Sequence, residues 1–529
     1  KQYYEWTTWL LDNWGGKMDG RMIVFQDWPE LGGVPYTPQP ADNIKKFYRD
    51  GSTYTNTVSV SGGNEKSNIR LSVSDMRNKG IVPNSKLDRQ TINLRAGFNA
   101  SRNLTIETKI NYIRQHGVNR PEIGGTSSSI PTSLNILPRF LNLDWMKNYK
   151  REDGSMINYK GGSPFNPYWI INELLSDDRR DRIIGFVLAK YSFTPWLTLQ
   201  ARTGTDFYTD TRFSRVGVGT PFTLEGSVTD NEFHIKEENS DLLLTASGKL
   251  SNKFTGLLSV GANHLNRREE IVGNEGFNLS IPGIYHPGNA KLNFPRKSLI
   301  RKQMNSGYFT GQIGYNNFLF LDVTGRNDWS STLGLNNQSF FYPSASASFV
   351  FTDAFPVSNN FISYGKLRAS YAQAGNDASP YLTLSGYELP GLSFNGQSFA
   401  NIRANVPLKD LKNELTSSYE FGAELKFLKN KISIDITYYN ASTKNQILPV
   451  EISSATGYYS RLINAGEIRN RGWEIFASAS PFGTNEFNWT LSLNFSRNKS
   501  KVISLAPGIS THTLIDNYTA SIQARPGEA

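Results

Sequence analysis

Residues 432–441 read ISIDITYYNA, and residues 489–497 read WTLSLNFSR. Ile432, Ile434, Ile436 and Tyr438 alternate with Ser433, Asp435 and Thr437. Trp489, Leu491, Leu493 and Phe495 alternate with Thr490, Ser492 and Asn494. Successive strand side chains point to opposite faces, so a period of two builds one apolar and one polar face. The pattern recurs along most of the 529 residues. It predicts about 16 strands of roughly nine to thirteen residues, a length that crosses a bilayer at a tilt.

The connections sharpen this reading. Residues 62–66, 100–103, 194–196, 316–317 and 428–431 are short and contain Gly, Asn or Pro, which favour tight turns. Between them lie long connections over residues 116–182, 210–241, 267–304, 375–418 and 446–471. Short turns at one end and long loops at the other are the arrangement of outer-membrane barrels, with the short turns periplasmic. A soluble jelly roll or Greek key has no reason to sort its loops this way. The predicted fold is therefore all-β, a transmembrane antiparallel β-barrel forming one domain over residues 1–529. Phe193, Trp196, Phe254, Phe318, Phe427, Phe482, Phe487 and Trp489 lie close to short turns, where an interfacial aromatic girdle belongs.

Composition agrees. Hydrophobic residues make up 38% and mean hydropathy is −0.44, and no apolar run approaches the ~20 residues of a spanning helix. A barrel tolerates such polarity because only alternate strand residues meet lipid. The absence of cysteine excludes disulfides, thiolate catalysis and zinc–thiolate sites. The formal charge of +10 is spread through strands and loops, as at Lys366 and Arg368, without the clustered basic and aromatic residues of a nucleic-acid surface. Lys1 is not followed by a signal-peptide pattern. Loop parity makes residues 1–52 an extracellular region before the first complete hairpin. It also implies that further strands complete the barrel at both ends, because an open edge in lipid strands backbone donors and acceptors.

Enzymatic chemistry finds no foothold. His116, His234, His264, His286 and His512 are scattered, with no paired-histidine metal motif, nucleophile elbow or phosphate loop. No metal or cofactor is expected. The alternation places Ile432, Ile434, Ile436, Leu491, Leu493, Phe421 and Leu425 toward lipid. Ser433, Ser492, Glu107, Lys109, Lys366, Arg368, Glu420, Glu424 and Asp435 are placed toward the lumen. That many charges suit a wide, wet interior. Asn327, Asp328 and Trp329 are expected to open an extracellular loop, where they either stack on and hydrogen-bond a sugar or serve a structural role.

Several stretches resemble a known family in order along the chain. They are WGGKMDG (residues 14–20), TYTNTVSVSGGNEKSNIRLSVSDMRNKGIV (53–82), GRNDWSSTLG (325–334), SFFYPSASASFVFTDAF (339–355), KLRASYAQAGND (366–377) and INAGEIRNRGWEI (463–475). Together they are similar to the SusC/RagA class of TonB-dependent outer-membrane transporters. The resemblance implies a 22-stranded barrel holding an N-terminal plug, under a SusD-like surface lipoprotein lid. It also implies TonB-driven import of an oligosaccharide or peptide substrate across a membrane of lipid and lipopolysaccharide. No plug or TonB-contacting segment is found in these residues, and IQARPGEA at 522–529 resembles a family motif that normally continues. A surface adhesin or enzyme-anchoring barrel and a passive porin are the competing functions.

Overall fold

The computed structural model describes residues 17–355, 361–389, 393–394, 397–483, 486–517 and 520–528. Sixteen strands form one antiparallel sheet. They are β1 Ser52–Gly63, β2 Ser67–Lys79, β3 Lys86–Asn99, β4 Leu104–Val118, β5 Leu174–Thr194, β6 Leu197–Val216, β7 Ser227–Lys249 and β8 Phe254–Leu279. They continue with β9 Ala290–Tyr315, β10 Leu319–Ser330, β11 Ser339–Val350, β12 Ile362–Asn376, β13 Glu414–Phe427, β14 Ile432–Lys444, β15 Glu467–Gly483 and β16 Asn488–Ser504. Each pairs with its chain neighbours, and among the described residues β1 and β16 have one partner each. This up-and-down order is the simplest way to satisfy every ladder with tight hairpins. Asn316 and Asn317 take left-handed φ of 47° and 60° to turn β9 into β10, a conformation Asn tolerates.

Directly paired residues share a face, so the register carries one face round the whole sheet. Ile434 pairs with Leu425 and Ala477, and Ala477 pairs with Leu493. Asp435 pairs with Glu424, which pairs with Lys366. The apolar parity continues without a break through Val323, Ile313, Leu258, Leu244 and Val187 to Ile92, Leu71 and Val60. Most of these large side chains stand exposed; Leu493 is 66% exposed and Val60 is 69%. An apolar surface of this extent is far beyond what a water-facing surface carries. It is the lipid face of an outer-membrane barrel.

Two rows of aromatic rings bound that face. At the short-turn end, Phe254, Tyr315, Phe318, Phe349 and Phe355 form a chain of ring contacts at 5.0, 5.4, 6.0 and 6.2 Å between centroids. Phe361 on Phe427 and Phe482 on Trp489 extend it. Toward the other end, Tyr371 meets Tyr419 and Tyr438 meets Trp473, both at 4.9 Å. Phe427 and Tyr419 are eight residues apart on β13. That separation matches the roughly 25 Å apolar band of a tilted strand between two interfacial girdles.

Beyond the second row the strands do not stop. Trp329 lies level with Asn305 and His264, and β8 runs on from His264 to Leu279 before β9 returns. At about 3.3 Å per residue, those fifteen residues add on the order of 50 Å of strand. The segments 210–241 and 267–304, read from sequence as long irregular loops, are therefore mostly ladder, with true connections only at 217–226 and 280–289. Both faces of this wall are wet, so the apolar alternation that marks a strand is missing there. The expectation of nine- to thirteen-residue strands fails for the same reason; β8 and β9 each have 26.

The expected loop over residues 1–52 also needs correction in its described part. Met22–Val24 pairs with Gly33–Pro35, and this hairpin packs on the connection between β4 and β5. Phe25, Leu141, Leu143, Met146 and Trp169 are fully buried there. Asn43 donates to the Leu141 carbonyl at 2.9 Å and accepts from the Leu143 amide at 3.1 Å. Buried Asn166 caps the helix Pro167–Glu173 and donates to the carbonyls of Met146 and Ile157, each at 2.9 Å. Satisfied amides of this kind let polar chain cross an apolar core. Residues 1–16, which include the start of the WGGKMDG stretch, lie outside the described residues.

Candidate translocation lumen

The face opposite the lipid carries the polar groups. Lys366, Arg368, Glu420, Glu424 and Asp435 all share it, as the alternation requires. Arg368 reaches across β13 to Asp435 at 2.9 Å, and its path passes over Gly422. A Cβ on Gly422 would come within 2.4 Å of the guanidinium, so glycine is what lets the arginine span two strands. The device recurs. Tyr308 lies over Gly261 to donate to Asp241 at 2.6 Å, and Tyr439 lies over Gly472 to reach Asn498 at 3.0 Å. Lys426 pairs with Glu424 at 3.3 Å, and Arg95 with Glu107 at 3.5 Å. The contacts of Arg368, Tyr308 and Tyr439 tie next-but-one strands together, and the ion pairs neutralise charge on the inner face.

Asn327, Asp328 and Trp329 do not open a loop. They belong to β10 and pair with both β9 and β11. Alternation then separates them: Asn327 and Trp329 share the lipid parity, while Asp328 faces inward. Asp328 is 4% exposed, accepts from Arg326 at 2.8 Å and receives the Tyr342 hydroxyl. Trp329 is 48% exposed on the outer, lipid-parity face, where an amphipathic ring suits the membrane interface. The three cannot grip one ligand. The motif they belong to is a brace. Ser330 and Thr332 donate to Asp377, which also pairs with Lys302 at 2.6 Å, so GRNDWSSTLG and KLRASYAQAGND are locked to each other.

Sequence reading missed a column on the inner side of the wall. Arg202 lies 4.3 Å from the Phe186 ring centroid. Above it Arg182 pairs with Asp206, Arg180 lies 4.9 Å from Tyr208, and Arg180 and Arg212 both bind Asp210. Arg212 in turn covers Phe233 at 4.4 Å. These residues fall in stretches without apolar alternation, and only the register reveals that they share a face. Burial penalises the Asp210 carboxylate, but hydrogen bonds from Arg212 and Arg180 outweigh this and hold its pKa below the usual range. A depressed carboxylate adds stability that is present above its unfolded pKa and is lost as pH falls through its folded value. We expect Asp210→Asn to flatten the fall in wall protection as pH drops through and below the ordinary carboxylate range, read as amide exchange over residues 205–215. An unchanged pH dependence in the variant would contradict this role.

Chemically, the column offers half-exposed guanidinium and phenol groups that stack on and hydrogen-bond a polar solute. Among the described residues no cluster could hold a metal ion.

The sheet matches known proteins along most of its length. The family model described as TonB dependent receptor-like, beta-barrel, matches residues 126–522. TonB-dependent receptor P3 of Formosa agariphila is 24% identical over 492 residues, covering 89% of this chain and 48% of the relative. TonB-dependent receptor SusC of Bacteroides thetaiotaomicron is 25% identical over 511 residues, covering 88% and 48%. The RagAB peptide transporter structure superposes with a TM-score of 0.78 at 17% identity, over 92% of this chain and 55% of that one. The chain thus spans about half the length of the curated relatives it matches. With its sixteen-stranded two-faced sheet, it belongs to the TonB-dependent receptor-like β-barrel family of the outer membrane.

Proposed function

We propose that this chain forms wall and outer loops of a SusC-like transporter that imports a bulky polar solute, an oligosaccharide or an oligopeptide, by an energy-coupled route. The observation that carries the reading is the inner face. Its charges are paired along the wall, from Arg368 with Asp435 to Arg180 with Asp210, in a barrel sector far too broad for side chains to fill. Such an interior is wet, and an ungated pore of that width would leak small solutes. A plug and a TonB contact elsewhere in the whole protein would supply the gate and the drive. In this reading Lys366, Arg368, Glu420, Glu424 and Asp435 shape the lumen, and the Arg180–Tyr208–Arg212 column meets solute above the membrane. A SusD-like lipoprotein would seat on the long-loop end, outside the cell. The alternative roles, porin and anchoring barrel, require no energy input. Uptake by cells carrying the whole protein should stop when the proton gradient is collapsed. Uptake that continues unchanged would favour the porin.

A further inference from the structure

Above the membrane belt β9 outruns its neighbour. It pairs with β8 from Ala290 to Tyr315, but β10 ends at Ser330, opposite Met304. Beyond that point the β10 side of β9 is an open edge. The edge lies in the interior of the sheet, where β8, β10 and the connection from β10 to β11 are all described. Two contacts close its lower end. The Ser331 amide donates to the Gln303 carbonyl at 3.0 Å, and the Arg301 amide donates to the Tyr381 hydroxyl at 2.9 Å. Antiparallel residues turn their backbone groups to alternate sides, so Gln303 and Arg301 make the odd-numbered residues the outward set. Asn293 and Lys297 each offer an amide and a carbonyl to the open side, and nothing among the described residues pairs with them there. Pro295 stands between them in the same set, where a strand tolerates a missing amide. Residues 293–299 thus present roughly 20 Å of edge.

The same stretch is uniformly basic. Lys291, Arg296, Lys297, Arg301 and Lys302 lie between Ala290 and Gln303, with no acid among them. Lys291 pairs with Glu225 and Lys302 with Asp377. Arg296, Lys297 and Arg301 are exposed and form no ion pair among the described residues. Glu270 on β8, which feels Lys297, is held by Arg268 at 2.8 Å. Like charges side by side destabilise a ladder, so this edge repels a second copy of itself and accepts an acidic strand. We propose that the open edge of β9 is a β-augmentation site for an extended acidic segment of a protein partner at the cell surface. The backbone groups of Asn293, Pro295 and Lys297 would pair with the added strand, as sheet edges take up peptides. Arg296 and Lys297, on opposite faces, would meet carboxylates on its two sides. An oligosaccharide has no amide ladder to match this edge. A strand held by a run of backbone bonds suits a resident partner better than a solute that must move on. The inference rests on the long-loop end facing outward and is independent of what the barrel imports.

The test uses the whole protein in bilayers and a labelled synthetic peptide that alternates Glu with Val. The peptide should bind, and a version N-methylated on its pairing amides, or one with Lys in place of Glu, should bind about tenfold more weakly. Asn293→Pro removes an outward amide without changing charge and should weaken binding about two- to tenfold. Asn293→Ala, which keeps that amide, should leave binding unchanged. Combined R296Q, K297Q and R301Q should erase the preference for the acidic peptide over the Lys peptide. If Asn293→Pro does not insert, as judged by heat-modifiable migration, the N-methylated peptide on the parent protein decides the same point. On intact cells a photo-crosslinker in place of Lys297 should join another surface protein at an acidic stretch, and excess peptide should displace it. Absence of binding, equal binding of the N-methylated peptide, gradient-dependent uptake of the bound peptide, or crosslinking to a second copy would each overturn the proposal.

Discussion

Replacing Trp169 by alanine should cost about 3–5 kcal/mol in the outer subdomain and open it to protease. Trp169 is the largest fully buried side chain in the structure. Its ring packs against Tyr149 and carries the Lys150 ammonium 5.7 Å from its centroid. Its Nε1 donates to Thr220 at 3.0 Å, so the loss includes a buried hydrogen bond as well as a cavity. Thr220 lies in the connection between β6 and β7, and one side chain thereby couples three parts of the long-loop end. The membrane sheet should be untouched, because its ladders do not depend on this core. The expected pattern is rapid cleavage within residues 130–173 with unchanged heat-modifiable migration of the barrel. Protection equal to the parent would show that the subdomain is held by something other than its apolar core.

Ile434→Arg should destabilise the inserted barrel, by up to roughly 2–4 kcal/mol, the depth-dependent cost of a cation on the lipid face. Ile434 lies on the lipid face of β14 between the two aromatic rows, four residues from Tyr438 and flanked by Leu425 and Ala477. Ser433→Arg, one residue away on the opposite face beside Lys426 and Ser478, should cost little. The contrast between neighbours is the diagnostic, since a general loss of strand propensity would affect both alike. Urea titration of the purified protein in bilayers should separate them. Equal destabilisation of the two variants would mean that the faces are not distinguished as described.

The membrane belt was legible in the sequence because lipid imposes a rule on every second residue. From Val60 to Leu493 the apolar parity could be read without a structure, and so could the turn-proximal aromatics Phe254, Phe427 and Trp489. Above the belt that rule lapses. Asn266 to Glu270 reads NRREE, which carries no period, yet it is strand on β8. The same silence hid Asp210 and its arginines. The subdomain core was illegible for another reason. Asn43 and Leu141 lie ninety-eight positions apart, and no local pattern announces such a contact. Trp329 misled because a Trp beside Asn and Asp suggests sugar recognition, whereas the ladder sends Trp329 and Asp328 to opposite faces. Tyr308 was overlooked because its role depends on Gly261 of the next strand, which offers no side chain to notice.

Because the chain has no cysteine, single cysteines can be placed along β14 and β16 and labelled one at a time. The most direct test of the two-faced sheet is the collision accessibility of a nitroxide at each position from 433 to 436 and from 490 to 493 in bilayers. Labels at Ile434, Ile436, Leu491 and Leu493 should be relaxed by dissolved oxygen and shielded from a water-soluble nickel chelate. Labels at Ser433, Asp435, Thr490 and Ser492 should show the reverse. An alternation of opposite phase, or none at all, would contradict the assignment of lipid and lumen on which the account rests.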